Sequence, residues 1–196
     1  MKPELHVVIA STRPGRIGPK VAEWFAGYAR QHDHFKVRLV DLADFDLPMY
    51  NEPNHPVMQQ YEHDHTKAWA ASVKSADAFV FVTPEYNFNP PPALVNALNY
   101  VYREWNYKPA GFVSYGGVSG GLRAVQSAKQ LVTTLKMMPM VESVAMPMVT
   151  QLFDEQGEFH SNELIEHSAG QMLDEMLKWS NALMPLHRSK KDARAA

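Results

Sequence analysis

Short, nearly continuous apolar runs alternate along this chain with longer stretches whose apolar residues recur at helical spacing. Leu5 to Ala10, bounded by Pro3 and the loop "STRPGRIG", reads as a buried strand, and Val21, Trp24, Phe25 and Tyr28 then mark a helix with Pro19 in its first turn. "KVRLVDL" is the second strand. Between Leu42 and His65 no period is sustained, which predicts a long loop holding at most a helical turn, functional or interfacial in role. A short helix over Lys67 to Ser75 leads into the third strand, "AFVFVT" from Ala78 to Thr83, whose unbroken apolarity suits a strand covered on both faces. Helix Ala93 to Tyr102, strand "AGFVSY", helix Leu122 to Lys136 and strand "VESVAM" follow, and a helix from Glu163 to Met184 closes the pattern. "FDEQGEFH" around Gly157 reads as a surface turn or hairpin.

This alternation implies an α/β domain with a parallel sheet, right-handed crossovers and helices on both faces. At 196 residues there is room for one such domain, expected over residues 1–186, with 187–196 ("HRSKKDARAA", basic and lacking an apolar face) as a frayed tail. In a sheet of this kind, ligands sit beyond the carboxyl ends of the strands. Three loops there are chemically unusual: 11–18 after the first strand, 84–92 after the third and 115–121 after the fourth.

Composition narrows the chemistry these loops can do. A formal charge of -2, from 19 basic and 21 acidic residues, supplies no basic field for duplex nucleic acid. Without cysteine there are no disulfides, thiolate nucleophiles or Cys-ligated metals, so redox chemistry needs a bound cofactor. No apolar run approaches the ~18 residues of a membrane span, and the apolar start is too short for a signal peptide, so the expectation is a cytoplasmic protein.

The first loop, "STRPGRIGPK", joins Ser11, Thr12, Arg13 and Arg16 to two glycines just before a helix start, where backbone N–H groups and the helix end favour an anion. The alternative is a tight turn with solvated arginines. Its spacing fits neither a Walker loop, which needs G-x-x-x-x-G-K-[ST], nor the dinucleotide fingerprint G-x-G-x-x-G, so a single phosphate is the anion it suits. The third loop, "SYGGVSGGLRA", carries Gly116, Gly117, Gly120 and Gly121, which admit close approach of backbone N–H groups to a planar heterocycle or else form only a flexible turn. The second, "TPEYNFNPPPALVNALNY", places three consecutive prolines between a strand and a helix, either as a pre-shaped ligand corner or as a helix cap.

Other constellations carry less. His63, Asp64 and His65, with His55 nearby, have no further residue at ligand spacing, and no metal site is expected. The methionines of "KMMPMVESVAMPM" read as gap-fillers around the last strand. A hydrolase elbow G-x-S-x-G is absent around Ser119. The sequence does not choose between core and subunit contact for Trp69, Trp105 and Trp179.

"ASTRPGRIG", "PEYNFNPPPALVNALNY" and "KPAGFVSYGGVSGGLRAVQ", in this order, resemble the NADPH-dependent FMN reductase family from about Leu5 to Met146. The resemblance implies a flavodoxin-like three-layer sandwich with a five-stranded parallel sheet of order 2-1-3-4-5. It implies FMN as cofactor and NADPH or NADH as co-substrate. By that likeness Ser11, Arg13, Arg16, Ile17 and Gly18 hold the phosphate, Pro84, Glu85, Tyr86 and Asn87 contact the flavin and ribityl chain, and Tyr115, Gly116 and Gly117 face the pyrimidine side. Gly116 and Gly117 are the candidate backbone donors toward N1 and O2, with no side-chain acid or base required. Ala10, Arg16, Gly18, Pro92 and Val95 depart from the usual family residues. The implied activity is ping-pong transfer of hydride from NAD(P)H to FMN and then to a small acceptor such as a quinone, flavin, azo compound or metal oxyanion. A flavodoxin-like electron carrier is the alternative, and a homodimer or homotetramer the implied assembly.

Overall fold

The computed structural model describes residues 2–192. Its elements run β1 (Glu4–Ile9), α1 (Gly18–His32), β2 (Lys36–Asp41), α2 (Asp64–Ser75), β3 (Ala78–Pro84), α3 (Pro92–Tyr100), β4 (Pro109–Tyr115), α4 (Leu122–Thr134), β5 (Met138–Pro139), β6 (Val144–Met146) and α5 (Glu163–Asp192). All pairings are parallel, in the order β2-β1-β3-β4-β5, with β6 also on β4. This is the flavodoxin-like order that the family resemblance implies, with a sixth short strand added to the five expected.

Because successive side chains of a strand point to opposite faces, the two apolar layers sort by residue parity. Leu5, Val7 and Ile9 of β1 and Val80 and Val82 of β3 meet Val21 and Phe25 of α1 and Met172, Leu173 and Met176 of α5. Val8 of β1, Phe79 and Phe81 of β3 and Phe112 of β4 face α2, α3 and α4 through Trp69, Leu94, Leu98 and Val125, together with Trp105 from the turn between α3 and β4. Every residue of β3 and β4 is buried, as their unbroken apolarity predicts. Trp69 and Trp105 are core residues, and Trp179 packs against the layer of α1 and α5.

Two elements differ from the sequence expectation. The last strand, expected over "VESVAM", is reduced to β6, which pairs with Val113 to Tyr115 at the end of β4, while a separate short β5 upstream of it pairs with Pro109 and Ala110 at the start of β4. The Met138 and Met140 N–H groups, on either side of Pro139, donate to the Lys108 and Ala110 carbonyls at 3.0 and 2.9 Å, and pairing with β4 resumes only at β6. The last helix does not stop at Met184. It continues through Pro185 to Asp192, because His187 is buried beside Asp77 and the Arg188 guanidinium donates to both Asp77 carboxylate oxygens at 2.9 and 3.3 Å. The frayed tail expected from residue 187 therefore does not begin there, and residues 193–196 lie outside the described residues.

The 42–65 segment holds two 3-10 turns, Leu42–Phe45 and Pro56–Met58, and is pinned by polar groups. Asn96 accepts from Tyr50 N–H at 3.0 Å and donates to the Pro48 carbonyl at 2.7 Å. Glu104 accepts from Tyr61 Oη at 3.0 Å and Gln59 Nε2 at 2.8 Å. "FDEQGEFH" closes as a turn, with Phe153 bridged antiparallel to Phe159. Among the described residues no helix is long and apolar enough to cross a membrane.

Candidate functional site: the carboxyl edge of the sheet

Ile9 of β1 stands level with Val82 of β3, and Pro84 of β3 with Tyr115 of β4. The loops that follow these strands consequently open on one edge of the sheet, as the sequence requires.

The first loop is built around Ser11, whose buried Oγ lies 2.8 Å from Tyr86 Oη. Helix α1 starts at Gly18 with Pro19 in its first turn; its cap residue Ile17 offers no side-chain acceptor, and no acidic residue stands in the first turn. The start of α1 thus has no side-chain acceptor or acid of its own, an arrangement that suits an anion. Arg13 is exposed at that mouth. Arg16 is not free in the same way: it donates to the Ser11 carbonyl at 2.6 Å and forms a half-buried ion pair with Asp41. It shapes the loop instead of reaching outward. Gly18 is required by a neighbour, since a Cβ there would stand 2.7 Å from Tyr115 Oη. Tyr115 itself is buried, which together with Tyr86 raises its pKa and keeps the hydroxyl protonated.

In the second loop, Tyr86 and Asn89 exchange backbone hydrogen bonds at 2.8 and 3.0 Å across Asn87 (φ 50°) and Phe88 (φ 69°). Two successive left-handed residues make a tight hairpin-type turn, which asparagine tolerates and phenylalanine does not favour. The exposed Phe88 ring is held under the Arg123 guanidinium, 3.7 Å from its centroid. The prolines act beyond the turn: Pro91 is the cap residue of α3 and Pro92 opens the helix. Their fixed φ sets the shape of the corner before any ligand arrives.

Glu85 does something the sequence did not suggest. Its carboxylate, only 8% exposed, accepts the N–H groups of Arg123 at 3.1 Å and Ala124 at 3.3 Å, and also Ser119 Oγ at 3.1 Å and Arg123 Nε at 2.8 Å. The carboxylate therefore caps α4, whose own cap position is the glycine Gly121. Burial alone would raise the Glu85 carboxyl; the bonds from Arg123, Ser119 and Ala124 outweigh it and hold the pKa below the ordinary value. The residue expected to contact flavin thus spends its side chain clamping two ligand loops together. Arg123 was missed in the sequence, although a cation in the first turn of a helix, unfavourable to the helix dipole, signals a nearby acid.

The third loop divides its glycines by task. Gly120 (φ +59°) and Gly121 (φ +83°) are structural, since a Cβ would lie 2.8 Å from Pro147 N and Ser114 Cβ respectively. The Gly116 N–H is taken by the Met146 carbonyl at 3.3 Å, so the expected pair of donors reduces to Gly117. Gly117 is exposed, donates to no backbone carbonyl, and has open space where its Cβ would be. His63 and His65, stacked 5.1 Å apart at the start of α2, lie outside these loops.

An anion mouth at a helix start, a stiff aromatic turn and an open glycine backbone at one edge of a 2-1-3-4-5 sheet define a flavodoxin-like flavin-binding protein. The donor set is of a kind that suits FMN: an exposed arginine beside the uncapped start of α1 for a phosphate, and an exposed glycine backbone at Gly117 that a ring could approach. Residues 3–151 match the family model of NADPH-dependent FMN reductase, and the chain belongs to that family. It is 43% identical over 137 residues, 69% of this chain and 68% of the relative, to an NAD(P)H-dependent FMN reductase of Schizosaccharomyces pombe. It is 31% identical to a quinone reductase of Pseudomonas putida over 67% of this chain and 70% of the relative. Among solved structures, FerB, a flavoenzyme NAD(P)H:(acceptor) oxidoreductase from Paracoccus denitrificans, superposes with a TM-score of 0.73 at 20% identity, covering 92% of this chain and 98% of FerB. The chain is accordingly an oxidoreductase that works with FMN and NAD(P)H.

Proposed function

We propose that this enzyme reduces quinones at the expense of NAD(P)H by a ping-pong cycle at the carboxyl edge of the sheet. The observation that carries the proposal is the convergence there of an uncapped helix start beside Arg13, a pre-shaped turn and the open Gly117 backbone. FMN, when bound, would supply the two-electron chemistry that links NAD(P)H to the acceptor. The chain's residues bind and orient. Ser11, Arg13 and the N–H groups of Ile17 and Gly18 hold the phosphate, and Arg16 fixes the loop through Asp41. The Pro84 to Asn87 backbone and the Tyr86 ring line the flavin and ribityl chain, while Tyr115 backs the cavity. The Gly117 N–H would be free to donate to the pyrimidine side of the ring, where a donor would stabilise the negative charge of the reduced form. No side-chain acid is needed.

Support for a quinone comes from the relative of Pseudomonas putida named for that acceptor. Phe88, Val118 and Met148, exposed on or beside the site loops, suit closure of the site by a second copy in a homodimer or homotetramer. A cytoplasmic location accords with the cysteine-free composition. The test is an anaerobic absorption spectrum of the FMN-reconstituted protein. Bleaching of the flavin band by NADPH or NADH, with recovery on adding a quinone, is the expected result. A flavin band unmoved by both nucleotides would overturn the reductase reading in favour of an electron carrier.

A further inference from the structure

Opposite the flavin edge, the end of α1 brings two imidazoles onto one carboxylate. His32 is the last residue of α1, Asp33 follows in the left-handed conformation (φ 62°) and is ion-paired to Lys2, and the reversal returns His34 to the side on which His32 lies. Across the gap stands Asp174 of α5, one of whose oxygens lies 2.9 Å from His32 Nε2 and 3.1 Å from His34 Nε2. The three ligand atoms fall within 4.8 Å of one another.

The groups are also held in place. The His32 ring stacks on Tyr28 at 6.1 Å and 17°, and the His34 ring meets His32 edge-on at 4.5 Å. Gly170 lets α1 and α5 close at this point, since a Cβ there would lie 3.1 Å from Tyr28 Oη. On either side of Asp174, Met172, Leu173 and Met176 are buried, so its backbone cannot wander.

We propose that His32, His34 and Asp174 form a surface site for a borderline divalent cation, with Zn2+ as the ion of best fit. Two imidazoles and one carboxylate suit Zn2+ in a four-coordinate site whose remaining position is water, and the absence of an oxygen cage disfavours Ca2+ and Mg2+. Ligand bonds of about 2.0–2.2 Å place tetrahedral ligand atoms about 3.4 Å apart. The two nitrogen-to-oxygen distances are therefore a few tenths of an ångström short of that edge, which small ring rotations supply. The ion would staple α1 to α5. It would do so about 22 Å, the length of the 15-residue α1, from the phosphate mouth at the other end of that helix. Its role is structural, and its occupancy does not depend on FMN.

The test uses the full chain without an affinity tag, freed of metal by a chelator. Zn2+ titrated by calorimetry should fill one saturable site, and in histidine side-chain NMR spectra the His32 and His34 resonances should move while those of His63 and His65 stay. Asp174→Asn and His34→Gln should each weaken binding at least about tenfold, no less than the loss on removing a group that merely supports a metal ligand. A hundredfold excess of Zn2+ over its Kd should raise the melting midpoint by about 5–10 °C in the parent and not in these variants. The site is overturned by the lack of saturable binding, by unchanged affinity in both variants, or by resonance shifts at His63 and His65 instead.

Discussion

Replacing Glu85 by glutamine keeps the shape of the side chain and removes its charge. The carboxylate accepts the second and third N–H groups of α4 together with Ser119 and Arg123, from a position 8% exposed. Losing a helix cap costs about 0.5–2 kcal/mol, and hydrogen bonds to a charged group are worth about 1.5–3 kcal/mol. Glutamine still accepts one set of these bonds, and Arg123 is 49% exposed, so its Coulomb share is small. A loss of about 1–2 kcal/mol is expected at pH 7, which in a protein of this size lowers the melting midpoint by ~2–8 °C.

The pH dependence gives a sharper check. The folded pKa of Glu85 lies below its ordinary value of 4.5, so the stability it contributes is complete above about pH 4.5 and is lost as pH falls through the folded pKa. Thermal melts of parent and Glu85→Gln apoprotein, followed by circular dichroism between pH 7 and pH 3, isolate this one group, because the other depressed carboxyls are common to both. The gap between the two proteins should be constant from pH 7 to about 5 and shrink below. Equal midpoints at pH 7, or a gap unchanged at pH 3, would refute the capping role.

Four further outcomes follow from named residues. Arg13→Ala should weaken FMN retention by ~1.5–3 kcal/mol, roughly ten- to hundred-fold, in a flavin fluorescence titration; unchanged affinity removes Arg13 from the phosphate mouth. Gly120→Ala should cost at least about 2 kcal/mol by denaturant unfolding, from positive φ and a 2.8 Å approach to Pro147 N. Gly117→Ala, with open space around it, should leave stability within about 0.5 kcal/mol while FMN affinity drops, and equal effects of the two changes on stability would contradict the division of tasks. His6 is buried, and that burial lowers its pKa to about 4 against the partial support of Glu4. Because the unfolded chain takes up the proton first, stability should fall as pH drops from about 6.5 toward 4, by up to about 3 kcal/mol, and His6→Asn should flatten that slope in urea melts.

Much of the site's address was legible in the chain, because it depends on near neighbours. Alternation and apolarity placed β1, β3 and β4, and their following loops then had to share an edge. The positive-φ requirement at Gly120 and Gly121 and the proline start of α3 are likewise local. What each side chain does inside the site is a long-range matter. Glu85 meets α4 38 residues away because β3 and β4 deliver those groups to the same edge, and Arg16 meets Asp41 25 residues away because β1 and β2 do. Gly116 loses its N–H to Met146 only because β6 pairs with the end of β4.

The sequence by itself determined the period of every major element, the sorting of apolar residues to two sheet faces and the three loops at one edge, since sterics and burial act residue by residue. Only the tertiary structure decided that the last strand is reduced to β6 with a separate short β5 upstream, that α5 outruns Pro185 to reach Asp77, and that His32 and His34 converge on Asp174 some 140 residues on. Each of these rests on pairing between segments whose meeting is set by sheet register and helix crossing, and no local preference along the chain encodes that meeting.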